Sequence, residues 1–179
     1  MNKLAEVCIQ RVYFRKDYQY FAEKSREIPS YLERLVVAMS SLCKEIKTCA
    51  LKNEPSMEIW FLFEGFTEQN FSVRYKTLLK VSKVANLFVI QHEFCVENID
   101  PNRMTPVLDG FGEEPYTEKQ YRLEKAVADF LESRHLQKLP LSELEDVIPE
   151  LDIPNESIFG KQMTLENALF RDLYEICKE

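Results

Sequence analysis

The chain has 179 residues, of which 45% are hydrophobic and 12% aromatic, so it can bury a sizeable core within one domain. Its net charge of −7 repels phosphate backbones, and we therefore expect no general binding to nucleic acid. Only four glycines occur, which excludes the glycine-rich loops that cradle nucleotide phosphates.

The sequence carries no sign of export or of membrane insertion. Its first residues lack the apolar core and cleavage site of a signal peptide, and no apolar run approaches the roughly 20 residues that span a bilayer. The five cysteines are scattered and form no Cys-x-x-Cys pair, which favours reduced thiols. We therefore expect a cytoplasmic protein that does not bind membranes.

The N-terminal part, to about residue 53, is predicted to be helical. Residues 8–21 fit neither the helical nor the strand period, while residues 17–27 have a helical composition that ends near Pro29. A further helix is predicted to begin after Pro29 and to end before Asn53, because apolar residues recur there at spacings of three and four. These residues are Leu32, Leu35, Val36, Met39, Leu42, Cys43 and Ile46.

The pattern changes to that of β-strands between residues 56 and 98. Residues 56–66 are aromatic and almost continuously apolar, as in a buried strand, and residues 70–83 alternate between apolar and polar side chains. Residues 84–98 follow after a short turn and return as a third strand. Short links between successive strands predict an antiparallel meander.

A loop and a helical C-terminal part are predicted to complete the chain. Residues 99–115 contain three prolines and two glycines, which predicts a long loop. Helices are predicted within residues 116–179, where Thr117, Ser142 and Thr164 stand at capping positions. The expected fold is a single α+β domain over residues 1–179, with a small antiparallel sheet of three to four strands preceded and followed by helices.

No catalytic or metal-binding pattern stands out. His92 and Glu93 are adjacent on a predicted strand and therefore point to opposite faces. His135 closes a predicted helix, where the helix dipole favours a cation, so its position needs no functional role. No His-x-x-x-His or Asp-x-Asp spacing occurs, and His92, three residues from Cys95, lies on the opposite strand face and cannot activate its thiol. We therefore expect no metal site, no cofactor and no catalytic residues.

The end of the predicted loop combines acidic and aromatic residues. They are Asp109, Phe111, Glu113, Glu114 and Tyr116. An exposed aromatic side chain can anchor a protein partner while the acids steer a basic partner into contact. The alternative is a loop in which Phe111 merely packs back onto the core.

Three functions follow from these observations, and the first is the leading one. It is a non-catalytic protein-binding module, of the immunity or inhibitor type, that neutralises a basic partner; small acidic α+β chains without catalytic motifs are common among such proteins. The second is a small-ligand protein or enzyme with a pocket between the sheet and the C-terminal helices, using His92 with Tyr75. The third is a structural subunit of a larger complex.

Overall fold

A computed structural model describes residues 1–102, 107–157 and 160–177. Within these residues, helices lie near both ends of the chain, and one further helix lies between two groups of strands. The α-helices are α1 (Lys3–Ile9), α2 (Tyr18–Arg26), α3 (Leu32–Met39), α4 (Glu118–Glu132) and α5 (Leu165–Phe170). A π-helical turn, Gln10–Phe14, follows α1, and a 3-10 turn, Leu141–Glu145, precedes the last strands.

The strands of the described residues form a seven-stranded sheet and a separate two-stranded sheet. The strands of the large sheet are β1 (Glu45–Cys49), β2 (Ser56–Leu62), β3 (Phe66–Glu68), β4 (Phe71–Ser82), β5 (Leu87–Asn98), β6 (Val107–Gly112) and β7 (Gln137–Lys138). The small sheet consists of β8 (Val147–Ser157) and β9 (Gly160–Thr164).

The large sheet is antiparallel along its main path, in the order β1-β2-β4-β5-β6. Its centre is the long hairpin of β4 and β5, whose register pairs Leu79 with Ile90. Strand β3 extends the sheet beside β4, and β7 adds a short parallel pairing to β5. Strands β1 and β6 therefore form the two outer edges.

The prediction of a small sheet of three to four strands is wrong. The three strands expected between residues 56 and 98 are present as β2, β4 and β5, but other strands flank them. Strand β6 lies inside the predicted loop 99–115, of which residues 103–106 lie outside the described residues. Strands β7, β8 and β9 lie inside the part predicted to be helical, of which residues 158–159 and 178–179 are likewise not described. The α+β class itself is confirmed.

Strand β1 replaces the second half of the long helix predicted after Pro29. The helix ends at Met39, and the hydroxyl of the following Ser40 donates to the carbonyl of Val37 at 2.8 Å. The chain then extends, and Ile46 pairs with Phe61 of β2. The spacing of Leu42, Cys43 and Ile46 imitates a helix, but tertiary pairing to β2 decides the conformation.

Two hydrophobic cores lie on opposite faces of the sheet. One core joins α1, α2 and α5 to side chains such as Leu87 and Val89. The other joins α3 and α4 to the alternate residues, such as Phe88 and Ile90. Because successive side chains of a strand point to opposite faces, β5 contributes to both cores. This explains why its first four residues, Leu87–Ile90, are all apolar.

Two predicted helix caps are present. The hydroxyl of Thr117 accepts the backbone N–H of Gln120 at 3.2 Å at the start of α4, and that of Thr164 accepts the N–H of Asn167 at 3.4 Å at the start of α5. Each satisfies a donor that the first helical turn leaves free. Among the described helices, none combines the length and apolar character needed to cross a membrane.

Candidate docking surface

Part of one sheet face forms the candidate site, and we call it the open sheet face. It is the side opposite α3 and α4, at the end of the sheet where β6 pairs with β5. Alternation along the strands assigns it these side chains: Trp60, Leu62, Arg74, Lys76, Glu93, Cys95, Asp109 and Phe111. A groove of about 480 Å³ crosses it, and its lining includes Lys44, the residue before β1, and Phe111 of β6.

The positive charges of Arg74 and Lys76, on the floor of this face, are neutralised by ion pairs with glutamates. Arg74 contacts Glu97 at 2.7 Å, and Lys76 contacts Glu93 at the same distance. The ammonium of Lys76 also lies over the ring of Trp60, 4.6 Å from its centroid. The thiol of Cys95 lies between opposite charges, and its pKa is raised chiefly by a hydrogen bond with Asp109. The floor is therefore polar but close to neutral, and the thiol is not activated as a nucleophile.

Strand β6 forms the rim of the groove and one edge of the sheet. It pairs with β5, and no described strand covers its outer side. Its side chains Leu108 and Phe111 are 64% and 73% exposed. The other edge strand, β1, carries the charged residues Glu45 and Lys47, which discourage pairing with another chain. Strand β6 has one charged residue, Asp109, and is the less protected edge.

The five predicted partner-binding residues do not all lie on one surface. Asp109 and Phe111 lie two residues apart on β6 and share the open sheet face. Glu113 and Glu114 follow in the bend after β6, where Glu113 lies 3.9 Å from Lys138. Tyr116 contacts the ring of Phe94 edge-on, with a centroid distance of 4.7 Å, and Phe94 points to the opposite face. The structure brings Asp109 and Phe111 together and places Tyr116 apart from them.

The two residues of the alternative pocket lie on the helix-covered face. Tyr75 packs partly buried against the core formed with α3 and α4. His92 is completely buried, and its Nδ1 lies 2.9 Å from the hydroxyl of Thr77. Its Nε2 lies 3.1 Å from Glu124 of α4, whose other carboxylate oxygen accepts from Lys138 at 2.7 Å. No hydrogen bond joins Tyr75 to His92 among the described residues.

Hydroxyl, imidazole and carboxylate in a line are the groups that activate a nucleophile in acyl transfer. Here the hydroxyl belongs to Thr77, which is 1% exposed, beside His92, which is 0% exposed. A substrate in solution reaches neither group in this conformation. The network instead ties α4 to the sheet, because Glu124 is on the helix and the other two residues are on β4 and β5.

The electrostatics of this network favour a neutral imidazole. Burial lowers the pKa of His92, and hydrogen bonding to Glu124 only partly offsets that effect. The contacts fit the neutral tautomer in which Nε2–H donates to Glu124 and Nδ1 accepts from Thr77. Nothing in the sequence around His92 pointed to Thr77 or Glu124, which are 15 and 32 residues away.

The described residues were compared with the requirements of a metal site, and the chain with known proteins. Within residues 1–102, 107–157 and 160–177, no three acidic, histidine or cysteine side chains cluster closely enough to hold a metal ion. No family model, no curated protein and no solved structure matches the chain.

Proposed function

We propose that the chain is a non-catalytic, cytoplasmic protein-binding module that neutralises a basic protein partner, as immunity and inhibitor proteins do. An extended segment of the partner adds as a strand along the outer edge of β6, and its backbone completes the hydrogen bonds of that edge. The five cysteines are all free, which supports a reducing compartment.

A single observation carries the proposal: Phe111 is 73% exposed on the less protected edge strand. Residues 107–118 around it contain the four acids Asp109, Glu113, Glu114 and Glu118 but no lysine or arginine. Phe111 offers apolar area to be desolvated by a partner, and the acids attract a segment that carries lysine or arginine. The same acids make a nucleic-acid partner unfavourable.

The test begins with the tagged protein as bait in lysate of its own host, at low and moderate salt, which identifies a partner for quantitative work. Binding of the purified partner is then compared for the wild type, Phe111→Ala and Val37→Ala. Val37 is a matched control because it is also 73% exposed but lies on α3. We expect Phe111→Ala to weaken binding about tenfold or more, since buried aromatic anchors dominate interfaces. Equal affinities of Phe111→Ala and wild type would remove this surface from the proposal.

The steering role of the acids needs a separate variant. Replacing Asp109, Glu113 and Glu114 by their amides lowers the net negative charge by three, and the same change at Glu6, Glu33 and Glu132 is the control. We expect the first variant alone to slow association at low salt, with a smaller effect at high salt. Equal slowing in both charge variants would contradict local steering.

Amide hydrogen exchange of the complex tests strand addition directly, because backbone N–H groups of β6 should gain protection.

A further inference from the structure

A cavity of about 550 Å³ lies away from the open sheet face. It forms where the connection between α2 and α3, the turn between β4 and β5, and the end of α4 meet. Its lining includes Tyr31, Lys83, Asn86 and Arg134. A volume of this order accepts a small molecule.

Lys83 brings a half-buried cation into this cavity. Its ammonium donates to the backbone carbonyls of Ser25 and Leu51, at 2.9 and 2.8 Å. No carboxylate of the described residues lies within ion-pair distance, and burial lowers the pKa of Lys83 against a weaker opposing effect of Glu54. Because an ammonium has three donors, one remains for a further acceptor.

Arg134 is a second cation without a carboxylate partner among the described residues. Its guanidinium stacks on Phe130 at 3.6 Å, and Nη1 donates to the carbonyl of Phe130 and to the hydroxyl of Ser133. Nε and Nη2 make no hydrogen bond within the described chain. The charge of Arg134 lowers the pKa of Tyr31, but burial has the larger effect and raises that pKa to about 12. The Tyr31 hydroxyl therefore stays protonated and can donate a hydrogen bond.

The remaining charges of the cavity cancel. Lys24 donates to both carboxylate oxygens of Glu27, at 2.9 and 3.0 Å. The cavity therefore keeps an excess of two positive charges in a chain whose net charge is −7. Cations partly withdrawn from water are stabilised less by neutral hydrogen-bond acceptors than by an anion, so a bound anion would be favoured here.

We propose that this cavity binds the anionic oxygen group, phosphate or carboxylate, of a small molecule. Lys83 and the free edge of the Arg134 guanidinium are its charged ligands, and Tyr31 and Asn86 are neutral donors. A guanidinium edge matches the spacing of phosphate and carboxylate oxygens. This site is independent of partner binding at β6.

The test measures thermal unfolding of the full chain with inorganic phosphate, pyrophosphate or citrate, each against sodium chloride of equal ionic strength. We expect at least one probe to raise Tm in a saturable way, because a ligand that binds only the folded state stabilises it. Calorimetry then gives Kd for the wild type, Arg134→Gln and the control Arg34→Gln, an exposed cation on α3. We expect about tenfold or greater weakening for Arg134→Gln alone.

Lys83→Met is a second variant with the same expectation, and Tyr31→Phe replaces it if loss of the carbonyl contacts of Lys83 prevents folding. Absence of any rise in Tm over chloride for all three probes would overturn the proposal. So would unchanged Kd values in both Arg134→Gln and the second variant, because binding would then occur elsewhere.

Discussion

At the scale of single residues, His92 makes the stability of the fold depend on pH. Its side chain is completely buried, and burial lowers its pKa below the ordinary value of 6.5. The groups that act on it are Glu124 and Glu114, which favour its charged form, and Lys138, which disfavours it. Between the lowered folded pKa and the unfolded pKa, the unfolded chain binds more protons, so stability rises with pH.

We therefore expect the stabilisation that comes from neutral His92 to be complete above the unfolded pKa of 6.5 and to be lost as the pH falls through the lowered folded pKa. One group accounts for a slope of at most about 1.4 kcal/mol per pH unit. Urea unfolding between pH 7.5 and 5 measures this slope in the wild type, His92→Gln and His135→Gln. The slope should decrease in His92→Gln and persist in His135→Gln, because His135 is exposed. An identical slope in all three proteins would show that carboxylates, not His92, set the pH dependence.

The candidate residues differ in how far their roles could be predicted. The combination of Asp109 and Phe111 with Glu113 and Glu114 is visible in the sequence, because charge and aromatic character need no coordinates. Their placement on an edge strand is not visible, since it depends on pairing with β5. Lys83 and Arg134 lie 51 residues apart and share a cavity only because the fold joins a turn to a helix end.

At the scale of secondary structure, Gly110 fixes how β6 lies against β5. A Cβ at Gly110 would lie 2.2 Å from a ring carbon of Phe94, which faces it across the strand pair. That ring also contacts the ring of Tyr116 edge-on. The missing side chain therefore leaves the space that the aromatic pair occupies.

We expect Gly110→Ala to displace Phe94 and to destabilise the protein by about 1–3 kcal/mol, the usual cost of overpacking. Gly112→Ala is the matched control on the same strand, because its Cβ would lie 3.4 Å from the hydroxyl of Tyr116, near ordinary contact. Chemical denaturation compares the two variants with the wild type. Similar stabilities of the two variants would mean that the Phe94 ring moves without loss.

The elements that could be predicted are those whose own sequence determines their form. Strand β4 alternates between apolar and polar side chains over much of its 12 residues, β5 begins with four apolar residues, and α4 begins at a capping threonine. Strand β1 could not be predicted, because Ile46 continues the helical spacing of the preceding residues. Strand β6 follows a proline-containing segment and contains two glycines, so only its partner β5 makes it a strand.

At the scale of the whole molecule, the two cores are coupled through the central hairpin. Leu87 and Val89 belong to the core with α1, α2 and α5, while Phe88 and Ile90 belong to the core with α3 and α4. Loss of one core therefore removes support from a strand on which the other core depends. A single domain stays a prediction, and this coupling makes cooperative unfolding the behaviour expected of it.

The single tryptophan, Trp60, offers a probe of this coupling. Phe21 is completely buried in the first core, whereas Trp60 lies on β2, on the open sheet face. We expect Phe21→Ala to destabilise the protein by about 3–5 kcal/mol and to lower the denaturation midpoint equally by Trp60 fluorescence and by far-ultraviolet circular dichroism. Phe14→Ala, at a side chain that is 40% exposed, should change little. Coupling through β5 requires the fluorescence and dichroism transitions to move together. If Phe21→Ala instead shifted only part of the dichroism signal and left the Trp60 transition in place, the helices around Phe21 would unfold independently of the sheet.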